Sequence, residues 1–355
     1  MKTVFINFIL FFLSLNVFAQ YTVTGRVVDS TSKEPLRGAS VFAQNTTVGT
    51  ATNAQGEFSI TLKSGGYDLI ITYSGYQTQT KRIAGDEGKL QIELARDERA
   101  LTEVVIQTSN EVKNGWEKYG SFFIENFIGA TPNAANCKIE NPEVLKFYYL
   151  KKSDKVRVLA TEPISITNKA LGYNLHYLLD SFVYYNKTNI STYRGFCLFT
   201  EMEGTDAEKK KWSDNRKKAY NGSVLQFVRS YYDSTLTEDG WLLALLNETD
   251  NTKFDPIINP YDTTFYGYTD STKEVDIWYP RKLSITYTKK KPEPEYIKKF
   301  KLPKILSMLV SYVDLNDVIT IQQNGYYYEQ KDWINQGYWS WKNLADLLPY
   351  DYEPN

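Results

Sequence analysis

The sequence predicts a mainly β protein: an N-terminal β-sandwich of about seven short strands, then a β-rich α+β domain. Three observations carry this. Between Tyr21 and Leu94 apolar residues alternate in short runs bounded by turn residues, with no helical period. Beyond residue 113 most apolar runs are again short, β-branched and aromatic. Finally, 28 Tyr, 18 Phe and 7 Trp make the chain 15% aromatic, a bias that suits half-buried pleated surfaces.

Residues 1–19 have the layout of a cleavable secretory signal. Lys2 precedes the apolar run Val4 to Leu15, and Val17-Phe18-Ala19 supplies small residues before Gln20, so cleavage is expected after Ala19. Asn7 interrupts the run and Asn16 follows it, leaving it short of the ~20 apolar residues of a spanning helix; an uncleaved anchor helix is the alternative. No cysteine near Gln20 offers a lipid attachment point. No later stretch is apolar enough to span a bilayer, so the mature chain is expected to have no transmembrane segment and to act in the periplasm, at the outer-membrane periphery or outside the cell. Its remaining ~335 residues predict two domains.

Residues 20–95 form the first. Val23 and Val27; Ala39, Val41 and Ala43; Phe58, Ile60 and Leu62; Tyr67, Leu69, Ile71 and Tyr73; and Leu90, Ile92 and Leu94 each make one face of a strand. The segments DSTSKEP, TNAQG, KSGG and GDEG supply the turns between them. A linker over 96–112 opens on Arg96-Asp97-Glu98-Arg99 and contains LTEVVI at 101–106.

Residues 113–355 form the second. Trp116, Tyr119, Phe123 and Phe127 recur at helical steps despite Gly115 and Gly120. Strands then dominate: VLKFYYL, KVRVLAT, the long alternation from Tyr173 to Tyr185, FCLFTEM, WLLALL, DIWYPRKLSITYT, ILSMLVSYV, VITIQQ and YYYEQ, with Asn324-Gly325 as a tight turn. A helix is expected over Ser223 to Tyr232, after the charged, solvated lead-in KKKWSDNRKKAY. Another is expected where Ser340 caps a stripe of Trp341, Leu344, Ala345 and Leu348 before Pro349.

The run from Gly25 to Gln79 resembles the carboxypeptidase-regulatory-like domain common in Bacteroidetes envelope proteins. Its marks are Gly25, Pro35-Leu36, Gly38-Ala39, the T-N-x-x-G-x-F turn from Thr52 to Phe58, and Gly75-Tyr76. The resemblance implies a prealbumin-like or Ig-like sandwich without peptidase activity, because that domain is the non-catalytic appendage of the enzymes it is named for. LTEVVI resembles the segment after the same module in TonB-dependent transporters; its other reading is one more strand. Beyond it, NCKI at Asn136 to Ile139 with Asn141-Pro142, EPISITNKALGYNLHY, RKKAYNGS and GYWSWKNLADLLPYDYEP resemble Bacteroidetes proteins in which this module precedes a domain of unassigned function. That likeness implies neither substrate nor reaction.

Chemical motifs are mostly excluded. With 41 basic and 42 acidic residues the net charge is −1, which offers no global field to recruit nucleic acid or anionic lipid. The single histidine and the absence of HxxE or HExxH exclude a zinc carboxypeptidase site. His176 has no GxSxG elbow to serve and reads as a partly exposed strand residue. No P-loop, GxGxxG or Ca²⁺-loop spacing occurs, so neither a cofactor nor a metal is expected. Carboxylate pairs for glycoside hydrolysis depend on spatial separation and stay open.

Cys137 and Cys197 face an oxidising compartment after export, so either a disulfide joins them or Cys197, inside FCLF, is a buried thiol. Asp29-Ser30-Thr31, Asp233-Ser234-Thr235, Asp262-Thr263-Thr264 and Asp270-Ser271-Thr272 resemble a Bacteroidetes O-glycosylation sequon, but ordinary turn chemistry is the expected reading of any single one. Tyr326, Tyr327 and Tyr328 must alternate faces on a strand, so at least one is expected outward as a partner contact; Trp333, Tyr338, Trp339 and Trp341 lie nearby. The resulting expectation is a non-catalytic envelope protein that binds or scaffolds a surface glycan or protein. The alternatives are a carboxylate- or Ser/His-dependent hydrolase and an accessory of a TonB-dependent uptake system.

Overall fold

The computed structural model describes residues 20–354 except 84, 86, 87, 98–109, 251 and 329. The expected signal segment 1–19, LTEVVI and most of the expected linker therefore lie outside the described residues.

The N-terminal module has seven strands: β1 (Gln20–Asp29), β2 (Ser40–Ala43), β3 (Gly49–Ala51), β4 (Glu57–Lys63), β5 (Tyr67–Thr72), β6 (Gln79–Ile83) and β7 (Lys89–Leu94). They form two sheets, ordered β4-β1-β7 and β3-β2-β5-β6, with β1 and β7 parallel. The period-2 pattern drives the layering, since Phe58, Ile60 and Leu62 from one sheet and Val41, Leu69 and Ile71 from the other are buried in one core. The TNAQG turn shows why its glycine is needed: Asn53 accepts the amides of Gln55 and Glu57, and Gly56 has φ +73 with no room for a Cβ against the Val27 carbonyl.

Beyond the module, helix α1 (Gly115–Phe127) packs on a six-stranded sheet of β8 (Cys137–Ile139), β9 (Leu145–Leu150), β10 (Lys155–Ala160), β11 (Ile164–Asn168), β12 (Tyr173–Tyr185) and β13 (Ile190–Glu201). Phe123 and Phe127 of α1 meet Phe147, Tyr177, Phe182 and Phe199 in that core. Helices α2 (Asp206–Tyr220), α3 (Val224–Tyr232) and α4 (Leu236–Asp239) lead to β14 (Trp241–Leu246), β15 (Phe254–Pro256), β16 (Tyr266–Thr269), β17 (Glu274–Ile277) and β18 (Leu283–Tyr287). Helix α5 (Pro294–Phe300), β19 (Leu309–Leu315), β20 (Ile319–Ile321), β21 (Trp333–Gly337) and α6 (Tyr338–Trp341) complete the chain. Two further sheets, β15-β14-β18-β19-β21 and β16-β17-β20, enclose another core with Phe227, Val228 and Tyr231 of α3.

Several expectations are corrected. KKKWSDNRKKAY lies in α2, which starts at a Thr205/Glu208 capping box, and it is not a mere solvated lead-in. It is pinned by buried Trp212 and by Trp212, Asn215 and Arg216 donating to the carbonyls of residues 169–172. The expected helix after Ser340 is instead the one-turn α6 and a 3-10 turn at Leu344–Asp346, and the Ser340 hydroxyl donates to Gly337 O instead of capping. Among the described residues of YYYEQ there is no strand, and an Ile321 to Tyr327 bridge follows the Asn324-Gly325 turn. The Asp-Ser/Thr-Thr segments show turn chemistry at Asp29 and Asp262, whose carboxylates accept from backbone amides two residues on.

A candidate binding cavity at the junction

The module is docked on the rest of the chain through backbone as well as side chains. After β2 the chain turns at Asn45, whose N–H donates to Cys197 O at 2.7 Å and whose carbonyl accepts from Tyr350 N at 2.7 Å. Phe199 N donates to Thr46 O at 2.9 Å, so this turn meets β13 through a single parallel bridge between Thr46 and Leu198. Thr47 then donates from its amide, at 2.9 Å, and from its hydroxyl to the Asp351 carboxylate.

A second contact is made by the β4–β5 turn and by β5 and β6. Asn324 Nδ2 donates to Gly66 O at 3.1 Å, Tyr326 Oη donates to Asp68 Oδ2 at 2.6 Å, and the Arg82 guanidinium stacks 3.5 Å from the Tyr328 ring centroid. Gly66 permits this approach, since a Cβ there would lie 2.4 Å from Tyr328 Oη.

This arrangement corrects the expectation that one of three tyrosines points outward. Tyr326 and Tyr328 are each 1% exposed and face the module, whereas Tyr327 is half-buried with its ring 5.1 Å from Trp333. The alternation holds, but both faces are covered. Burial, with Glu274 nearby, pushes the Tyr328 phenol up to about 12.

The two cysteines are free thiols, and the sheet explains why they do not meet. Cys137 on β8 aligns with Asn168, then Tyr173, then Glu201 on β13, three strand spacings or about 14 Å away. Cys197 lies further along β13, opposite Tyr177, well beyond the ~7 Å Cα limit of a disulfide. His176 is exposed on β12 opposite Ser165, and no hydrogen bond joins their side chains among the described residues.

Where the module meets both other cores there is a cavity of about 550 Å³. The module supplies Gln44, Asn45 and Asp68; β12 and β13 supply Tyr177, Tyr193 and Arg194; α3 contributes Leu225. Tyr326, Tyr327, Gln330 and Trp333, then Trp339, Lys342, Asp346 and Tyr350, complete the lining. Thus Tyr326 and Tyr327 of the expected contact line the cavity, whereas Tyr328, Cys137, Cys197 and His176 do not.

One wall rests on a partly buried charge network around the buried Asp346. Lys342 Nζ lies 3.1 Å from Glu293 Oε1 and 3.3 Å from Asp346 Oδ1, and Lys290 Nζ lies 3.2 Å from Glu293 Oε1. Tyr338 Oη donates to Glu293 at 2.7 Å, and Thr131 and Asn133 donate to Asp346. Burial raises the Glu293 pKa, but Lys342, Lys290 and the Tyr338 hydroxyl outweigh it and hold the carboxyl below its usual range. Burial draws the Lys290 amine below its ordinary value against the opposing pull of Glu293. Among the described residues no group of three or more His, Cys, Asp or Glu is placed to hold a metal ion, and no helix is long and apolar enough to cross a membrane.

Residues 23–106 match the CarboxypepD_reg-like domain family. The same part of the chain is similar to the TonB-dependent receptor SusC of Bacteroides thetaiotaomicron, at 34% identity over 102 residues, or 29% of this chain and 10% of the receptor. Among solved structures, a Bacteroides fragilis protein of unknown function is matched over 45% of this chain and 65% of that one, at 14% identity and TM-score 0.17. A 9R-lipoxygenase from Cyanothece is matched over 60% of this chain and 48% of that one, at 8% identity and TM-score 0.16. Neither structural likeness carries an argument.

Sequence reasoning missed the CarboxypepD_reg-like module as a wall of the site. The backbone groups of Asn45, Thr46, Cys197 and Phe199 leave no sequence signal. Gly65-Gly66 was visible, but it reads equally as an ordinary turn.

Proposed function

We propose that this chain is a non-catalytic envelope protein that binds a neutral glycan in the junction cavity and works beside an outer-membrane uptake system. The observation that supports the binding reading is the cavity itself. Its volume of about 550 Å³ lies within the ~300–1,000 Å³ of small-molecule sites, and its lining interleaves aromatic rings with the amides of Gln44, Gln330, Asn335 and Asn343. Its charged members have partners already: Asp180 with Arg194 at 3.6 Å, Lys342 with Asp346, and Asp68 with Tyr326. A ligand without charge meets such walls without breaking an ion pair, stacking its ring faces on aromatics and exchanging hydrogen bonds with amides.

The same pairing weighs against a hydrolase, because each of these carboxylates is committed to a partner and His176 stands apart on β12. The likeness of the module to part of SusC supports the uptake-system setting.

The test is a titration of the purified chain with a panel of neutral oligosaccharides, read by tryptophan fluorescence and by mass spectrometry of the sugar. A saturable response without turnover is expected, weakened about tenfold by Gln330→Ala if one hydrogen bond is lost. Release of a shortened sugar, or no response across the panel, overturns the reading.

A further inference from the structure

The segment Lys289 to Leu309 departs from the rest of the chain in both charge and exposure. Between residues 289 and 304 it carries seven lysines, at 289, 290, 291, 298, 299, 301 and 304, against Glu293 and Glu295. The protein as a whole has a net charge of −1, so this local excess of five is concentrated. Six of the seven lysines are exposed; Lys290 is the exception, drawn inward by Glu293.

The same stretch holds apolar side chains out to solvent. Phe300 is 45% exposed, Ile305 89% and Met308 40%. They are not frayed from the fold, because the segment is anchored at both ends and in its middle. Tyr296 is buried with its ring 5.3 Å from Tyr338 and 5.2 Å from Trp341, Lys299 pairs with Glu125 at 3.0 Å, and Leu309 enters β19. Helix α5 ends at Lys301, which adopts φ +52, and this reversal sends the chain through Pro303 toward Ile305. An ordered segment that presents both ammonium groups and bulky apolar tips needs a surface with two matching properties. A phospholipid bilayer interface supplies phosphate charge at the headgroups and hydrocarbon a few ångströms below.

We infer that residues 289–308 dock the protein on an anionic phospholipid surface, with the exposed Lys291, Lys298, Lys301 and Lys304 at the headgroups and Phe300, Ile305 and Met308 inserted between them. Lysine stems lie along the apolar boundary while their ammonium groups stay wet, so the two residue classes do not compete for the same depth. None of residues 289–308 lines the junction cavity, so the contact does not depend on what fills it. It is peripheral and salt-sensitive, because most of its attraction comes from exposed charges.

The experiment is co-sedimentation of the full mature chain with vesicles of phosphatidylcholine alone and of phosphatidylcholine with about a third phosphatidylglycerol. Binding to the anionic vesicles, falling as salt is raised, is expected. Each lysine near such a surface is worth about a fivefold change, so Lys291→Gln, Lys298→Gln and Lys304→Gln together reduce binding about a hundredfold. Ile305→Ser with Met308→Ser, both at exposed positions that the core does not need, reduces it about tenfold and leaves the circular dichroism spectrum unchanged. Equal binding to neutral vesicles, or full binding by the lysine triple variant, overturns the inference. Capture by soluble heparin without vesicle binding, indifferent to the serine variant, also overturns it and assigns the patch to an acidic partner in solution.

Discussion

Asp68→Ala places the perturbation in the module and the readout outside it. All seven tryptophans, Trp116, Trp212, Trp241, Trp278, Trp333, Trp339 and Trp341, lie beyond residue 113, so tryptophan fluorescence reports the region that the module docks against. The Asp68 carboxylate accepts from Tyr326 Oη at 2.6 Å, and Arg82 lies 3.7 Å away. Removing it deletes a charge-assisted hydrogen bond and leaves a phenol that is 1% exposed without its acceptor. Together these cost about 2 kcal/mol, the middle of the range for losing one partner of a buried polar pair. Tyr326→Phe loses the same bond but strands no buried hydroxyl, so its cost is smaller, about 1 kcal/mol. Glu93→Ala, which breaks only an exposed pair with Lys33, is the control and shifts stability by less than about 0.5 kcal/mol. Guanidinium unfolding followed by tryptophan fluorescence should show the midpoint falling in that order. A tryptophan transition unmoved by Asp68→Ala, alongside loss of module structure by circular dichroism, would refute energetic coupling across the junction.

Trypsin should cut at Arg96, whose side chain is 75% exposed, or at Arg99, and the two fragments should still co-elute in gel filtration and part only in denaturant; separation in native buffer contradicts the docked arrangement. Glu293→Gln should destabilise the protein by about 2 kcal/mol at pH 7, because it leaves the partly buried Lys290 without its counter-charge and Lys342 with Asp346 alone. The folded Glu293 carboxyl is held below its ordinary value, so its contribution is complete above the unfolded pKa of ~4.3 and is lost as pH falls through the folded one; unfolding curves should show the mutant and wild type converging below about pH 4. Burial pushes the Cys137 thiol up to about 12 and Cys197 well above its usual range, so thiol reagents should react slowly with native protein and count two free thiols after denaturation; a count of zero would reveal a disulfide.

The module was legible because its alternation is strict and its turns carry distinctive residues, as at Asn53 to Gly56. Helix α3 was legible for a similar reason: Ser223 caps it by accepting from Gln226 N, and Leu225, Phe227, Val228 and Tyr231 form one buried face. Helix α2 was hidden by its composition, since only Trp212 and Tyr220 are buried in a run of charges; the Thr205/Glu208 spacing was the available signal. The tyrosine triplet shows a harder limit. Alternation correctly assigns Tyr326 and Tyr328 to one face and Tyr327 to the other, but the cover over the first face comes from Gly66, Asp68 and Arg82, far away in sequence. For the cysteines, compartment chemistry permitted a bridge that the strand order places out of reach.

The central claim is that a ligand sits between the CarboxypepD_reg-like module and the rest of the chain. Amide hydrogen exchange with and without a bound neutral oligosaccharide tests it most directly. Simultaneous protection is predicted at the Gln44–Thr47 turn of the module, where Gln44 and Asn45 line the cavity, and at residues 342–348, of which all but Ala345 line it. Protection on an outer face of either part, with the Gln44–Thr47 turn unchanged, would contradict it.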